Sequence, residues 1–544
     1  MQKRIPVRVR RLRWRSLPLW LGMILGCQAA GTPGASGDPS DPGTSGDDGA
    51  GISTDPGANG SGGSGGSGGA GGPGAATNGA SGCEPMRIEG AFNLGGYSCD
   101  RFTWSDAGCR PRTAALVKNN AADPGGSRGG YLRQITYEAG GKTRTVSGSG
   151  SNGWNGWGYI VNHYGSTAAT SRNGSGGTLR TVLSGTHHAI HEFKVRVSPG
   201  GPVDTTIHWY FATGRSNPVY AITFDATPAG PDAVKADSRA PYGDMLFDGK
   251  SDNSGEVSGI GWGDRYRFKT TGSGPVTWGS TWDYKQENTV PYVQAWSDAA
   301  DAEMGAVQTQ TMDQQLAGGD YGGGMLSACQ GKDSATAGSG CTDGSQTLPQ
   351  SWLWPFQLNQ YELDYVTTSK RVAWGATYGA VGQRSYTAFG KSYSGYPLVS
   401  YSVYGVFGPH ATSAVEAQRG EVEAVQQTTL AATTGTVAVR GPAGVGRSDE
   451  VAYAPAGYNP VYGVWDIATA DNRAAFRITP GSTPLTNPTF RLLGYTGTNA
   501  PEVRLDGNTL IPDKDCFLTL DTAGKQLWIT LNRTLSGQTA LDIQ

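Results

Sequence analysis

The sequence has little of several features that would narrow its function at once. Only 16% of its 544 residues are charged, and cysteine occurs seven times. No two cysteines have the CxxC spacing typical of a zinc ribbon, so such a site is not expected. Beyond the N-terminal region there is no apolar run of a length that could span a bilayer. The sequence therefore predicts a soluble body without a structural zinc.

Basic residues are also scarce once the N-terminal region is set aside. The whole chain has a net charge of −2, with 43 basic and 45 acidic residues. Residues 1–26 contain seven of the basic residues and no acidic one, so 36 basic residues and a net charge of −9 remain after them. Nucleic-acid binding depends on basic surfaces that neutralise phosphate. Nucleic acid is therefore not expected as a partner.

The N-terminus has the pattern of an export signal. A basic segment precedes a short apolar stretch from Leu17 to Leu25, which ends at Gly26-Cys27. The sequence Ile-Leu-Gly-Cys at residues 24–27 resembles the lipobox of bacterial lipoproteins. The resemblance implies a signal peptide at residues 1–26, a lipid on Cys27 as the only membrane attachment and, with Gln28 next, an outer-membrane location. The alternative is an ordinary signal peptide with an incidental cysteine.

Residues 27–82 are predicted to be a disordered, lipid-anchored linker. After Cys27 they are almost entirely Gly, Ser, Ala, Pro, Asp, Asn and Thr, and Ile52 is the only large apolar side chain. Such a segment cannot bury enough apolar surface to offset the entropy lost on ordering. We expect it to carry the following domains away from the membrane, at the cell surface.

The rest of the chain is predicted to be all-β. Alternating apolar and polar residues, β-branched and aromatic side chains, and Gly/Asn/Asp turns recur from residue 84 onward. We expect a large antiparallel β-sandwich at 83–411, a connector helix at 412–429 and a smaller C-terminal β-sandwich at 430–544. A second helix is predicted at 298–316. In architecture the large sandwich resembles the supersandwich-like domains of secreted polysaccharide lyases and some glycoside hydrolases.

The cysteines that remain after Cys27 form an even set of six, which in an oxidising compartment predicts disulfides. Cys329 and Cys341 enclose a Gly/Ser-rich loop and are expected to pair with each other. The other four allow three pairings, among which Cys99–Cys109 is favoured; the four are Cys83, Cys99, Cys109 and Cys516.

Five of the six histidines fall within residues 163–208. Along the strand that follows His187, alternation places His187 and His191 on one face, and His188 and Glu192 on the other. His187 and His191 have a spacing that suits joint binding of a metal ion, but no third ligand is in register. Structural histidines and acid–base catalysis are the other two interpretations, and no metal is predicted.

Acid–base chemistry on a polymer gives a set of candidate catalytic residues. Elimination from a uronic-acid polymer needs a group that neutralises the carboxylate, commonly Asn or Arg, and a base, commonly His or Tyr. Hydrolysis needs two carboxylates on opposite sides of the scissile bond. The residues of these types near the histidine cluster are Asn162, His163, Tyr164, His188, Arg239 and Asp244.

Aromatic residues near the same cluster are candidates for binding sugar rings. The chain has 15 tryptophans and 24 tyrosines, and an aromatic face is a rigid platform for a sugar. The candidates are Trp154, Trp157, Trp209 and Tyr242. The alternative is that these aromatics fill the sandwich core.

An acidic loop is a candidate for binding calcium. Asp248, Asp252 and Glu256 carry carboxylates of the kind that bind calcium. A solvated acidic loop is the alternative.

Together these features predict a lipoprotein that acts on carbohydrate polymers, as a polysaccharide lyase or a glycoside hydrolase. A non-catalytic glycan-binding or adhesive lipoprotein is the alternative. The two differ in one respect: an enzyme needs titratable groups that converge in one cleft, whereas a binding protein needs only exposed aromatics.

Overall fold

A computed structural model describes the protein from residue 82 onward, and residues 78–544 form one compact unit. The signal peptide, Cys27 and the linker lie outside the described residues, as do Cys329, Cys341 and the calcium candidates. The described ranges are 82–120, 129–148, 156–164, 167–170, 177–197, 202–230, 236–247, 258–262, 266–269, 290, 292–310, 359–366, 371–381, 385–386, 391–392, 397–442, 444–445 and 450–544.

The predicted all-β class is confirmed, and the larger sandwich is made of the following strands in chain order: β1 (Arg87–Leu94), β2 (Tyr97–Ser105), β3 (Pro111–Val117), β4 (Leu132–Ala139), β5 (Lys142–Ser147), β6 (Trp157–Tyr164), β7 (Thr167–Thr170), β8 (Thr178–Ser184), β9 (His188–Val197), β10 (Val203–Ala212), β11 (Val219–Asp225), β12 (Ala236–Phe247), β13 (Gly259–Trp262), β14 (Tyr266–Lys269), β15 (Tyr292–Ser297), β16 (Ala302–Gln308), β17 (Asn359–Val366), β18 (Arg371–Val381), β19 (Ser385–Tyr386), β20 (Lys391–Ser392) and β21 (Leu398–Gly408). Short 3-10 helices span Thr227–Ala229 and His410–Thr412.

The C-terminal portion follows helix α1 (Ala414–Gln426) and has these strands: β22 (Thr429–Thr434), β23 (Thr436–Val437), β24 (Arg440–Pro442), β25 (Glu450–Ala452), β26 (Tyr458–Asn459), β27 (Val464–Ala468), β28 (Ala474–Thr479), β29 (Leu485–Thr486), β30 (Thr489–Leu493), β31 (Val503–Leu505), β32 (Asn508–Thr509), β33 (Cys516–Asp521), β34 (Gln526–Leu531), β35 (Thr534–Leu535) and β36 (Thr539–Ile543).

Two large sheets form the first sandwich. In one, ten strands are built around the order β1-β2-β3-β4-β5-β12-β18-β17, with β6 beside β12 and β4, and β7 beside β6. In the other, nine strands follow the order β14-β13-β15-β16-β21-β11-β10-β9-β8. The inner faces meet through aromatic rings: Trp157 of β6 lies 6.0 Å from Trp209 of β10 and 6.2 Å from Phe407 of β21, centroid to centroid.

The hairpin of β10 and β11 shows why alternation predicts these strands well. Ile207, Trp209 and Phe211 are buried on the inner face of the sheet, as their spacing predicts. His208 and Tyr210 lie on the outer face, where both rings contact Tyr462 of the C-terminal portion. One strand therefore contributes to two different cores.

The C-terminal portion has a core of its own between a five-stranded and a six-stranded sheet. The five-stranded sheet has the order β22-β28-β36-β31-β32, and the six-stranded sheet has the order β23-β27-β30-β34-β33 with β26 beside β27. β27 and β30 run parallel.

Helix α1 forms within the residues predicted as the connector helix, whereas the helix prediction at 298–316 is wrong for the part that the structure describes. Residues 302–308 form β16, and all of its side chains are buried in the nine-stranded sheet. Helix α1 buries Val415 and Val422 against that sheet, while Val425 packs against the C-terminal core. In the described residues no helix is long and apolar enough to cross a membrane.

The outer face of the nine-stranded sheet packs against the C-terminal portion, and we call this contact the junction. A single buried apolar cluster includes Ile190 and Tyr210 of the sheet together with Val464 and Trp528 of the C-terminal strands. The rings of Tyr210 and Trp528 are 5.4 Å apart. The junction is therefore as thoroughly buried as the two cores it joins.

The disulfide prediction needs a correction. Cys83 is bonded to Cys109, whereas Cys99 and Cys516 are buried and take no part in this disulfide. Cys99 lies in the middle of β2 and Cys109 in the turn after it. An extended strand rises about 3.3 Å per residue, which carries Cys99 roughly 20 Å from that turn. Nearness in sequence was therefore misleading, and the favoured Cys99–Cys109 pairing is wrong.

Candidate functional site

Part of the predicted catalytic set is brought together by the pairing of β6 with β12. Asn162 is in register with Ser238, and His163 with Asp237, so the backbone places both beside Arg239. Tyr164 ends the same strand, and Asp244 lies farther along β12, in register with Ala373 of β18. The side chains of these five candidates (Asn162, His163, Tyr164, Arg239 and Asp244) are outside the described part of the structure, so their catalytic roles stay predictions.

His188 does not join that group, because it lies in the other large sheet at the junction. Its side chain is fully buried, and Nε2 is 2.9 Å from the Thr530 hydroxyl. The ring lies against Tyr210 and Trp528. Burial, together with the nearby His187, holds the pKa of His188 well below its usual range. The imidazole is therefore neutral and its contacts are those of a buried packing residue.

The expectation of exposed aromatic platforms is wrong for three of the four candidates. Trp157 and Trp209 are fully buried between the large sheets, and Tyr242 is 4% exposed. The indole of Trp209 also donates a hydrogen bond to the Gly130 carbonyl. Trp154 lies outside the described residues. These rings fill the core, because the inward-facing positions of two wide sheets need large apolar side chains.

The two histidines considered for a metal ion are also buried. His187 Nε2 is 2.7 Å from Asp513, and His191 Nε2 is 3.7 Å from Asp100. His191 packs edge-on against Phe102 in the inner core. Among the described residues no three His, Cys, Asp or Glu side chains come close enough to bind a metal together.

The structure instead brings titratable groups together in a cavity at the junction, which we call the junction pocket. Its volume is about 220 Å³, and both portions of the chain line it. Val182, Val445 and Val461 form its apolar wall. Its polar wall consists of Arg180, Glu192 and His208 from the nine-stranded sheet and Asn459, Tyr462 and Arg491 from the C-terminal portion.

A hydrogen-bonded chain connects Glu192, His208 and Tyr462 in this pocket. Glu192 and His208 are cross-strand neighbours on β9 and β10, with 2.9 Å between Oε2 and Nε2. His208 Nδ1 is 2.7 Å from the Tyr462 hydroxyl. Arg180 binds both oxygens of Glu192, at 2.5 and 3.3 Å. Glu192 and His208 are only 2% and 3% exposed, so a ligand in the cavity would meet mainly Tyr462 and Arg180, the residues that flank them.

The protonation states along this chain follow from burial and pairing. Burial alone would raise the pKa of Glu192, but the hydrogen bonds from His208 and Arg180 outweigh it and bring this pKa to about 2. Burial lowers the pKa of His208 in spite of Glu192. A carboxylate only accepts hydrogen bonds, so neutral His208 donates from Nε2 and accepts the Tyr462 proton at Nδ1. Burial also raises the pKa of Tyr462, which keeps its proton at rest.

A second ion pair forms the back of the pocket. Arg491 donates two hydrogen bonds to Asp466, at 2.8 and 2.5 Å. Asn459 donates to the same carboxylate at 3.0 Å. The Arg491 guanidinium lies over the rings of Tyr462 and Trp528, with 5.7 and 5.2 Å from its carbon to the ring centroids. These contacts hold Arg491 and the Tyr462 ring in fixed positions.

Sequence reasoning found only part of this pocket. It placed Glu192 and His188 on one face of β9 and recognised His208 as part of the histidine cluster. It gave no weight to Tyr462 or Arg491, which are more than 250 residues from His208 in the chain. The available signal was Glu192, a carboxylate in the middle of a strand between His191 and Phe193.

No protein-family model and no curated protein matches the sequence. Among solved structures, the chain is similar to the alpha-N-acetylgalactosaminidase NagBb of Bifidobacterium bifidum in complex with GalNAc, with a TM-score of 0.32 and 9% identity over 62% of this chain. For the complex with Gal-NHAc-DNJ the TM-score is 0.31 and the identity is 10%. The match covers 44% of the length of that enzyme. A similarity of this size indicates neither a family nor an activity.

Proposed function

We propose that the protein acts on carbohydrate polymers by acid–base chemistry and that the junction pocket is its active site. The observation that carries the proposal is the chain from Glu192 through His208 to the Tyr462 hydroxyl, which ends at a cavity. Enzymes commonly activate a hydroxyl by an adjacent imidazole that a carboxylate orients. The buried tryptophans Trp157 and Trp209 do not favour passive binding on aromatic platforms.

In this proposal each group has a distinct role. Tyr462 exchanges a proton with the substrate, because it lines the cavity and is the last member of the hydrogen-bonded series. His208 takes up the Tyr462 proton as the phenolic oxygen becomes a base. Glu192 then stabilises the imidazolium, since its carboxylate is ionised and 2.9 Å away. A cavity of about 220 Å³ suits a single sugar unit better than a long stretch of polymer.

We further propose that this body is held at the outer surface of a bacterial outer membrane by a lipid on Cys27. The support is the lipobox-like sequence before Cys27 and the composition of residues 28–82. A flexible coil of this length reaches roughly 40 Å on average. That distance would bring the pocket to polymers beyond the membrane surface.

The test is activity of residues 83–544 on a panel of polysaccharides, measured as new reducing ends and as absorbance of unsaturated uronate. We expect Tyr462→Phe and His208→Gln to lower kcat by about 10²–10⁴-fold with little change in KM. Tyr495→Phe is the matched control, because it removes another buried hydroxyl of the C-terminal portion that bonds only to the Asn499 carbonyl.

Full activity of Tyr462→Phe would refute this assignment. Binding of a polymer by the wild-type protein without any turnover would instead support the non-catalytic glycan-binding function.

A further inference from the structure

We propose that the junction pocket recognises a sugar carboxylate, which Arg491 and Arg180 bind from opposite sides, so that the substrate is an acidic polysaccharide. This inference rests on the proposed function in one respect, which is that the ligand is a sugar. The recognition of a carboxylate is argued separately from the two arginines.

Arg491 has donor capacity that the protein does not use. The residue is 8% exposed, and its Nε and Nη2 groups bind Asp466. Its Nη1 group has no hydrogen-bond partner among the described residues, although Arg491 lines the cavity. Because Arg491 lines the cavity and the protein does not use this group, it is available to bind a ligand there. An anion in the cavity would supply the missing acceptor.

Arg180 offers the same feature at the rim. Its Nε and Nη2 groups bind Glu192, and Nη1 has no partner in the described part of the chain. Its side chain is 64% exposed, so it can adjust to a ligand that enters. Guanidinium groups bind carboxylates through two parallel hydrogen bonds in one plane. A neutral sugar hydroxyl cannot accept hydrogen bonds in this geometry.

The local charge also favours an anion. Two cations, Arg180 and Arg491, line the pocket with one carboxylate, Glu192. Next to the lining, Lys194 lies 3.5 Å from Glu192, and Asp466 pairs with Arg491. The pocket thus carries a net positive charge in a chain that has a net charge of −9 after residue 26. Such a concentration of positive charge attracts acidic ligands to one place on an otherwise acidic protein.

An acidic sugar also fits the chemistry of the three-residue chain. Hydrolysis needs a protonated carboxylic acid, whereas the two carboxylates at the pocket are each bound by an arginine. In elimination, Tyr462 takes the proton on the carbon next to the sugar carboxylate while its own proton moves to His208. The electron pair forms a carbon–carbon double bond, and the bond to the glycosidic oxygen breaks. That oxygen takes a proton from Tyr462, which in turn recovers its own proton from His208. The step consumes no water and no other reactant.

The experiment is a calorimetric titration of residues 83–544 with sodium glucuronate, glucose and sodium sulfate at constant ionic strength. We expect glucuronate to bind in preference to the other two. Arg180→Gln and Arg491→Lys should weaken glucuronate binding by about tenfold or more. Arg196→Gln is the matched control, because Arg196 makes a similar two-point contact with Asp204 on the same sheet, outside the pocket.

Glucose that binds as tightly as glucuronate, or unchanged binding in the exposed-rim variant Arg180→Gln, would overturn the inference. Equal affinity for sulfate would overturn the assignment of a carboxylate. Titrations of Tyr462→Phe separate this inference from the proposed function, because that variant keeps both arginines. Glucuronate binding without turnover of any polymer would support the inference and refute the enzyme. Turnover of neutral polymers without glucuronate binding would support the enzyme and refute the recognition of a carboxylate.

Discussion

At the scale of single residues, the histidines divide into those that pack and those that touch a cavity. His188 is enclosed by Tyr210, Trp528 and the Thr530 hydroxyl, and none of the carboxylates in the described residues pairs with it. His208, on the next strand, lies between a carboxylate and a phenol at the junction pocket. Two neighbouring strands therefore carry a structural histidine and a candidate catalytic one.

Replacing His188 should change the acid sensitivity of the protein. Burial keeps the folded-state pKa well below 6.5, so below about pH 6.5 the unfolded chain binds a proton that the folded protein does not. Stability is then lost as pH falls, by about 1.4 kcal/mol per pH unit for this residue. At pH 7.5, His188→Leu should lower the free energy of unfolding by about 1 kcal/mol, because the hydrogen bond to Thr530 is lost. From pH 7.5 to pH 5, the variant should then lose less stability than the wild type.

Denaturant unfolding at the two pH values measures both effects. Thr530→Val is the control, since it removes the partner hydroxyl but keeps the titrating ring, so its pH dependence should match the wild type. An unchanged pH dependence in His188→Leu would contradict the buried, neutral state of His188.

At the scale of elements, the turn between β2 and β3 fixes one half of the disulfide. Asp106 accepts hydrogen bonds from the backbone of Gly108 and Arg110, and Cys109 adopts a positive φ of 57° within this turn. Cys83 is positioned separately, by a backbone hydrogen bond to Asp513 of the C-terminal portion. The disulfide thus connects a β-turn of the large sandwich to a segment that lies against the smaller one.

Loss of this disulfide should destabilise the whole body. A bridge with a sequence separation of 26 restricts the unfolded chain and is worth about 3 kcal/mol. The double variant Cys83→Ser/Cys109→Ser should lose about that amount in denaturant unfolding. Peptide mapping without reduction should find Cys83 linked to Cys109, and Cys99 and Cys516 should react with an alkylating agent only after unfolding. A peptide that links Cys99 to Cys109 would contradict the structure.

At the scale of the whole molecule, the junction makes the two sandwiches depend on each other. The C-terminal portion has a complete core of its own, yet Tyr462, Val464 and Trp528 lie outside that core and are buried only at the junction. Burial of apolar surface on this scale couples the stabilities of the two parts. The junction pocket exists only while they are docked.

Calorimetry of residues 83–544 should therefore show one unfolding transition at neutral pH. Trp528→Ala should cost roughly 3–5 kcal/mol and separate the transition into two, because it removes the largest side chain of the junction. Phe476→Ala is the comparison, because it removes a large side chain from the C-terminal core and leaves the junction unchanged. It should lower the free energy of unfolding by a similar amount. Two well-separated transitions in the wild-type protein would refute the coupling.

The sequence alone was enough for the all-β class and, in β10, for the face of the sheet on which each side chain lies. The alternation in β10 correctly separated Trp209 from His208, because successive side chains of a strand point to opposite sides of a sheet. The helix prediction failed at residues 302–308, where good helix formers lie in a fully buried strand. There the neighbouring strands supply the hydrogen bonds and the burial, and these outweigh a helix propensity of a few tenths of a kcal/mol per residue.

Only the tertiary structure decided which faces meet, and with that the candidate site. Nothing local to β9 or β10 indicates that Tyr462 and Arg491 will cover their outer face, because that contact joins segments more than 250 residues apart. The same contact made His188 a packing residue and Glu192 an ionised, hydrogen-bonded one. Alternation in a sequence assigns a side chain to a face, but its exposure, its pKa and its partners depend on what packs against that face.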